Sequence, residues 1–125
     1  MLPDFNLIIA GGRDFADYES LVRIATKAIS SKLLTHKVNI VCGMARGTDL
    51  LGKKIAEEFG YDVIECPADW ENLGKSAGYI RNKYMASISH ALLAFYDGTS
   101  KGTGHMIDLA NEFNLKIRVI KYTTP

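Results

Sequence analysis

Phe5-Asn6-Leu7-Ile8-Ile9-Ala10-Gly11-Gly12-Arg13-Asp14-Phe15 is the stretch whose reading decides the fold. A short apolar run of β type stops at paired glycines, and the period of the hydrophobic pattern then changes. From Tyr18 to Leu34 the residues Leu21, Ile24, Ala25, Ala28 and Ile29 recur at spacings of three and four, which predicts a helix. A strand, a glycine turn and a helix in that order make one β-α unit.

The same unit repeats along the chain. Val38 to Cys42 is a second predicted strand, running into Gly43-Met-Ala-Arg-Gly-Thr-Asp49 and a helix from about Asp49 to Phe59 that stops at Gly60. A third strand, Asp62 to Cys66, breaks at Pro67. An irregular segment, Ala68 to Gly78, carries the single tryptophan, Trp70, before a helix from about Gly78 to Ser89. Its spacing puts Ile80, Tyr84 and Ile88 on one face as a core stripe. Ala91 to Tyr96 is a fourth strand, Thr103 to Phe113 roughly the last helix, and Lys116 to Tyr122 the final strand. Each helical crossover returns the chain to the same end of the sheet. The expected fold is therefore a Rossmann-like three-layer α/β/α domain with a mostly parallel five-stranded sheet. At 125 residues the chain has the commonest size of one domain, so residues 1–125 are expected to form one.

In open α/β sheets ligands bind outside the carboxyl ends of the strands, near the point where strand order reverses. Nine of the eleven glycines, all except Gly52 and Gly60, are expected at that rim. Asp97-Gly-Thr-Ser-Lys-Gly-Thr-Gly-His105 is the most informative segment. Glycines let a backbone approach an anion, the amides and dipole of a helix start complement negative charge, and Ser100 and Thr103 add hydroxyls. The segment lacks the Gly-Lys-Ser/Thr ending of a P-loop, which gives NTP hydrolysis of that type no support. In Gly11-Gly12-Arg13-Asp14, Arg13 is either a bidentate phosphate clamp or half of a surface pair with Asp14, the latter capping the first helix. Thr48 or Asp49 either caps the second helix or, for Asp49, accepts from a ribose hydroxyl behind Gly43, Ala45 and Gly47. Arg81 and Asn82, at the head of their helix, are candidates for a second phosphate contact. Trp70 either stacks on a base or anchors its loop. His105 alone among the three histidines lies in a phosphate-type loop, where it is a candidate acid or base.

Other chemistries are excluded or unsupported. Fifteen Lys+Arg against fourteen Asp+Glu leave a formal net charge of +1, too little to drive nucleic-acid binding by bulk electrostatics. No apolar run approaches the ~20 residues of a membrane span. Met1-Leu2-Pro3-Asp4 lacks the basic stretch and cleavage site of a signal peptide, so a cytoplasmic location is expected. Cys42 and Cys66, without C-x-x-C spacing, read as small buried hydrophobes in a reducing compartment. No His/Cys/Glu spacing suits a metal, and no Ser-His-Asp order with a nucleophile elbow is present.

Taken together, Gly11-Gly-Arg-Asp-Phe15, Gly43-Met-Ala-Arg-Gly-Thr-Asp49, Trp70 with Gly74, Ala77-Gly-Tyr-Ile-Arg-Asn82 with Met85, and Asp97-Gly98 with Lys101-Gly-Thr-Gly104 resemble the YspA-like branch of the SLOG superfamily. That superfamily groups the DprA/Smf proteins with the Lonely Guy (LOG) phosphoribohydrolases. The resemblance spans almost the whole chain. It implies a Rossmann-like sheet and a nucleotide-type ligand at the loop edge, NAD-derived, ADP-ribose-like or cyclic, and it implies homo-oligomers, which are common among the relatives. The LOG hydrolases pair an Arg-Lys with a Gly-Gly-x-Gly-Thr-x-x-Glu loop, their Arg and Glu being the catalytic pair. Arg81 matches that Arg and Gly102-Thr103 the Gly-Thr, but Asn82 replaces the Lys and Met106 stands in the place of the Glu. A methionine can neither carry charge for an oxocarbenium-like transition state nor orient water.

The expectation is therefore a binding module rather than an enzyme. Its ligand residues are Gly11, Gly12, Arg13, Asp14, Gly43, Ala45, Gly47, Thr48, Asp49, Trp70, Arg81, Asn82, Asp97, Gly98, Ser100, Gly102 and Thr103. The alternatives are a LOG-like nucleotide N-glycosidic hydrolase, for which Arg81, Asp14 and His105 are the catalytic candidates and Asp49 or Asp108 a substitute carboxylate, and a small oligomerising accessory domain.

Overall fold

Every apolar run becomes a strand. In the computed structural model, which describes residues 1–43 and 47–123, the strands are β1 (Asp4–Gly11), β2 (Lys37–Cys42), β3 (Asp62–Glu65), β4 (Ala91–Tyr96) and β5 (Lys116–Lys121). They form one sheet in the order β3-β2-β1-β4-β5, and all four pairings are parallel. The helices are α1 (Tyr18–Ser30), α2 (Thr48–Phe59), α3 (Trp70–Leu73), α4 (Ala77–Ile88) and α5 (Lys101–Glu112). The expected Rossmann-like fold is the observed one.

Alternation along the strands builds two cores. Leu7 and Ile9 of β1 point to the same face as Ile40, Leu93 and Phe95, where Leu21, Ala25 and Ile29 of α1 and Ile55 and Ala56 of α2 cover them. Ile8 and Ala10 point to the other face with Val41, Leu92 and Ala94, beneath Met85 and Ala86 of α4 and Met106, Leu109 and Ala110 of α5. The central strands are apolar on both faces because helices cover both. Ile9 is fully buried between sheet and helices, and truncating it to Ala would cost about 2–5 kcal/mol.

The strand order positions the site. From β1 the chain steps outward through β2 to β3, then returns to the other side of β1 for β4 and continues to β5. The connections after β1 and β4 therefore leave adjacent strands in opposite directions, and a crevice opens between them.

Three local expectations are corrected. The first helix stops at Ser30 rather than Leu34; Lys32, Thr35 and His36 form turns instead, their amides donating to Ile29 and Lys32 carbonyls. Leu33 and Leu34 are exposed, so no buried stripe remains to hold another helical turn, and Ser30-Ser31 is weak in helix propensity. The segment from Ala68 is more regular than expected. Asp69 caps α3 by accepting from the Asn72 amide at 3.2 Å, and a 3₁₀ turn, Gly74–Ser76, leads into α4. On α4 the assigned core stripe holds only at Ile88, which packs partly buried against the second core: Ile80 and Tyr84 are exposed, while Ala77, Asn82, Met85 and Ala86 are buried. The helix carries apolar residues on both sides, and it is the small Ala77–Ala86 side that can approach α5 and the sheet closely. No described helix is long and apolar enough to cross a membrane.

Candidate ligand-binding site

The crevice between β1 and β4 is a cleft of about 530 Å³, a size that suits a small-molecule ligand. Ala10, Met85 and Met106, each nearly inaccessible to solvent, give it an apolar floor. Gly11 to Asp14 line one side, and Asp97, Ser100, Gly102 and Thr103 the other. Asp49 from α2 and Arg81 with Asn82 from α4 complete the wall. Among the described residues, two guanidinium groups thus share the cleft with three carboxylates.

The first loop is shaped by close approach. A Cβ on Gly11 would lie 2.6 Å from the Phe95 carbonyl oxygen of the neighbouring strand, a distance only glycine avoids. The Gly12 amide donates to that same oxygen at 3.3 Å, and the Gly12 carbonyl accepts from the amides of Phe15 (3.2 Å) and Thr48 (3.4 Å) and from the Thr48 hydroxyl (3.4 Å). Gly47, at φ +77°, allows the second loop to lie against the Gly12 and Arg13 carbonyls. Gly47 and the fully buried Thr48 therefore lock the two loops together and do not line the cleft. Asp14 is exposed at the mouth, where the Tyr122 hydroxyl donates to its Oδ1 at 2.7 Å.

Arg81 is fixed from behind. Its Nη1 donates to the Gly43 carbonyl and, at 3.5 Å, to that of Cys66, while Nε donates to Asn82 Oδ1 at 2.9 Å. Gly43 lies behind this guanidinium, since a Cβ there would fall 2.6 Å from Nη1 and 3.0 Å from Asp49 Oδ2. Among the described residues no acceptor engages Nη2. Asn82 bridges onward: its Nδ2 reaches the Gly102 carbonyl at 3.5 Å and His105 Nδ1 at 3.3 Å. His105 lies outside the cleft lining, edge-on to Tyr79 at 4.5 Å, and burial pulls its pKa below the ordinary value against the opposing pull of Asp108 and Glu112. It orients Asn82 and does not face the cleft.

The β4–α5 connection is held by Asp97, whose Oδ1 accepts from the amides of Thr99 (2.9 Å) and Ser100 (2.8 Å). Those donors hold the carboxyl below its usual range. Gly98, at φ +92°, makes the turn and does not line the cleft. α5 begins two residues earlier than the sequence pattern suggests, so Gly102 and Gly104 belong to its first turn. Ser100 caps it, accepting from the Thr103 amide at 3.4 Å and donating to the Thr103 hydroxyl at 3.1 Å. The first intrahelical bond runs from Gly104, and among the described residues none accepts from the amides of Lys101 and Gly102. Those two amides, at the positive end of the helix dipole, and Arg81 Nη2 are donors of the kind that suits an anion.

Of the nine glycines expected at the rim, Gly11, Gly12 and Gly102 line the cleft. Trp70 does not: half exposed, its ring lies 3.3 Å from where a Cβ on Gly78 would stand, a point 4.0 Å from Arg81 Nη2. Ala45 lies outside the described residues. Sequence reasoning did not assign Ala10, Met85 and Met106 to the cleft floor, nor Tyr122 to its mouth. Among the described residues no cluster of His, Cys, Asp and Glu could hold a metal ion.

A family model described as the YspA, cpYpsA-related SLOG family matches residues 5–73, from β1 through α3. Among solved structures, the crystal structure of a predicted subunit of tRNA methyltransferase from Methanocaldococcus jannaschii is similar at 14% identity and a TM-score of 0.45, covering 94% of this chain and 67% of that one. No curated protein matches the chain.

Proposed function

The chain belongs to the YspA, cpYpsA-related SLOG family, and from that premise we propose that it binds a phosphate-bearing nucleotide or nucleotide-derived small molecule, NAD- or ADP-ribose-like or a cyclic nucleotide signal, at the carboxyl edge of the sheet. One observation carries the reading: at the strand-order switch point, the start of α5 and the pinned guanidinium of Arg81 border a single cleft with an apolar floor. A phosphate is the anion such an array suits. In this reading residues 1–125 act as one nucleotide-binding domain in the cytoplasm, with homo-oligomerisation carried over from the family's relatives.

Binding without turnover is the form we favour. Met106, at 1% exposure, occupies the floor where the related hydrolases place their glutamate, and Arg81 donates to carbonyls behind the cleft. Isothermal calorimetry against AMP, NAD, ADP-ribose and cyclic dinucleotides tests the reading, which is abandoned if none binds more tightly than about millimolar. Incubation with nucleoside monophosphates followed by chromatography for free base is expected to show none; release of base would reinstate the hydrolase.

A further inference from the structure

Among the described residues three carboxylates and two guanidinium groups line the cleft, and phosphate recognition leaves the role of the carboxylates unexplained. Asp14 is the case that can be followed atom by atom. The Tyr122 hydroxyl, just beyond β5, donates to Asp14 Oδ1 at 2.7 Å. The Tyr122 ring stands edge-on to Phe15 with centroids 5.0 Å apart, and Phe15 packs on Phe95 at 4.5 Å, so the phenol is braced by the core of β4. A Cβ on Gly12 would collide with the phenol oxygen, so that glycine is what lets the tyrosine reach the loop. Burial and the neighbouring Asp14 and Asp97 push the phenol's pKa far up, which keeps it a donor.

We infer that Tyr122 is a positioning residue for the ligand site: by holding one oxygen of Asp14 it presents the carboxylate as an acceptor for hydroxyl donors of the ligand, the cis-diol of a ribose. Carboxylate oxygens accept, and the neutral Tyr122 donor occupies only one of the two. Such a group repels phosphate and favours a hydroxyl, so the two sides of the cleft read different parts of one molecule. The start of α5 and Arg81 take the phosphate, and the Asp14 corner takes the sugar. Asp97, whose Oδ1 is already held by two amides, adds a second acceptor on the facing wall. This inference rests on the proposed nucleotide reading and adds to it a preference for ribose over deoxyribose and over ribose esterified at its 2′ or 3′ oxygen.

The test compares wild type, Tyr122→Phe and Asp14→Asn by calorimetry with AMP and 2′-deoxy-AMP, with hydrogen exchange at the amides of Gly12 to Phe15 on the same preparations. Wild type should favour AMP by about tenfold, the worth of one hydrogen bond to a charged group. Tyr122→Phe should weaken AMP by about 3–10-fold, shrink the ribose preference and speed exchange in the loop. Asp14→Asn should also shrink the preference, and adding Tyr122→Phe to it should change little, because both act through one carboxylate. If wild type binds AMP while Tyr122→Phe keeps both affinity and preference, the inference fails and the nucleotide reading stands. If wild type binds neither compound, the nucleotide reading fails for this ligand class and the sugar preference falls with it; the anchoring role is then judged by exchange alone, and unchanged protection in Tyr122→Phe overturns it.

Discussion

Replacing Gly102 by alanine separates two roles a glycine can hold at a helix start. Gly102 is the second residue of α5, lines the cleft, and has no positive φ that a side chain would strain. A Cβ built there meets no heavy atom within 4 Å. On fold stability alone the substitution is favourable. Alanine loses less backbone entropy on folding than glycine, a gain of about 0.5–1 kcal/mol in a helix, with the lower end expected in a first turn. For ligand binding the sign reverses. The methyl would stand where an anion must sit to reach the amides of Lys101 and Gly102, and losing one hydrogen bond to a charged group costs about 1.5–3 kcal/mol, or about 10–100-fold in Kd. Urea unfolding and calorimetry with ADP-ribose on the same preparations should show a more stable protein that binds more weakly. A more stable protein with unchanged affinity would remove the anion from α5 and refute the reasoning.

Gly11→Ala forces a methyl against the Phe95 carbonyl in the middle of the sheet and should cost about 1–3 kcal/mol in urea unfolding, where Gly102→Ala does not. Trp70→Ala should leave ADP-ribose affinity unchanged, since the ring does not line the cleft; a loss of about tenfold would put it over the ligand. His105 should titrate by NMR with a midpoint below its ordinary 6.5, because burial disfavours the imidazolium. The folded value lies under the unfolded one, so the contribution of neutral His105 to stability is full above 6.5 and is lost as pH falls through 6.5 towards the folded value. In the folded protein the imidazole keeps its acceptor role toward Asn82 until pH passes below the lowered folded value, and ADP-ribose affinity should decline there. A midpoint at or above 6.5 refutes the assignment.

The strand-and-helix alternation was legible because each β-α unit carries its own period and its own glycine punctuation. Gly60, with φ +80°, ends α2 as its position promised. The rim was legible as an edge, since parallel topology alone gathers the connections after the strands. What lay beyond reach depended on partners distant in sequence. The face of α4 that turns inward is chosen by α5 and the sheet, and with Ile80, Tyr84, Met85 and Ala86 spread around one helix no period decided it. Glycine counting overstated the ligand side because Gly47 and Gly98 serve turns, Gly78 makes room for Trp70, and Gly104 lies against Tyr96. Met106 was visible as a departure from the hydrolase motif, but only the fold reveals it as the floor. Tyr122 left no local signal at all: it meets Asp14 across 108 positions.

That separation sets the order in which the molecule becomes competent. The loop after β1 is synthesised early, yet its carbonyl waits for Thr48, its amide for Phe95 and its carboxylate for Tyr122. Docking β1, β2 and α2 alone would supply the contacts between Gly12 and Thr48 but not those of Phe95, Arg81 and Tyr122. In the proposed reading, a ligand held by Asp14 would be coupled through Tyr122 to the final strand, and its binding should slow hydrogen exchange in β5.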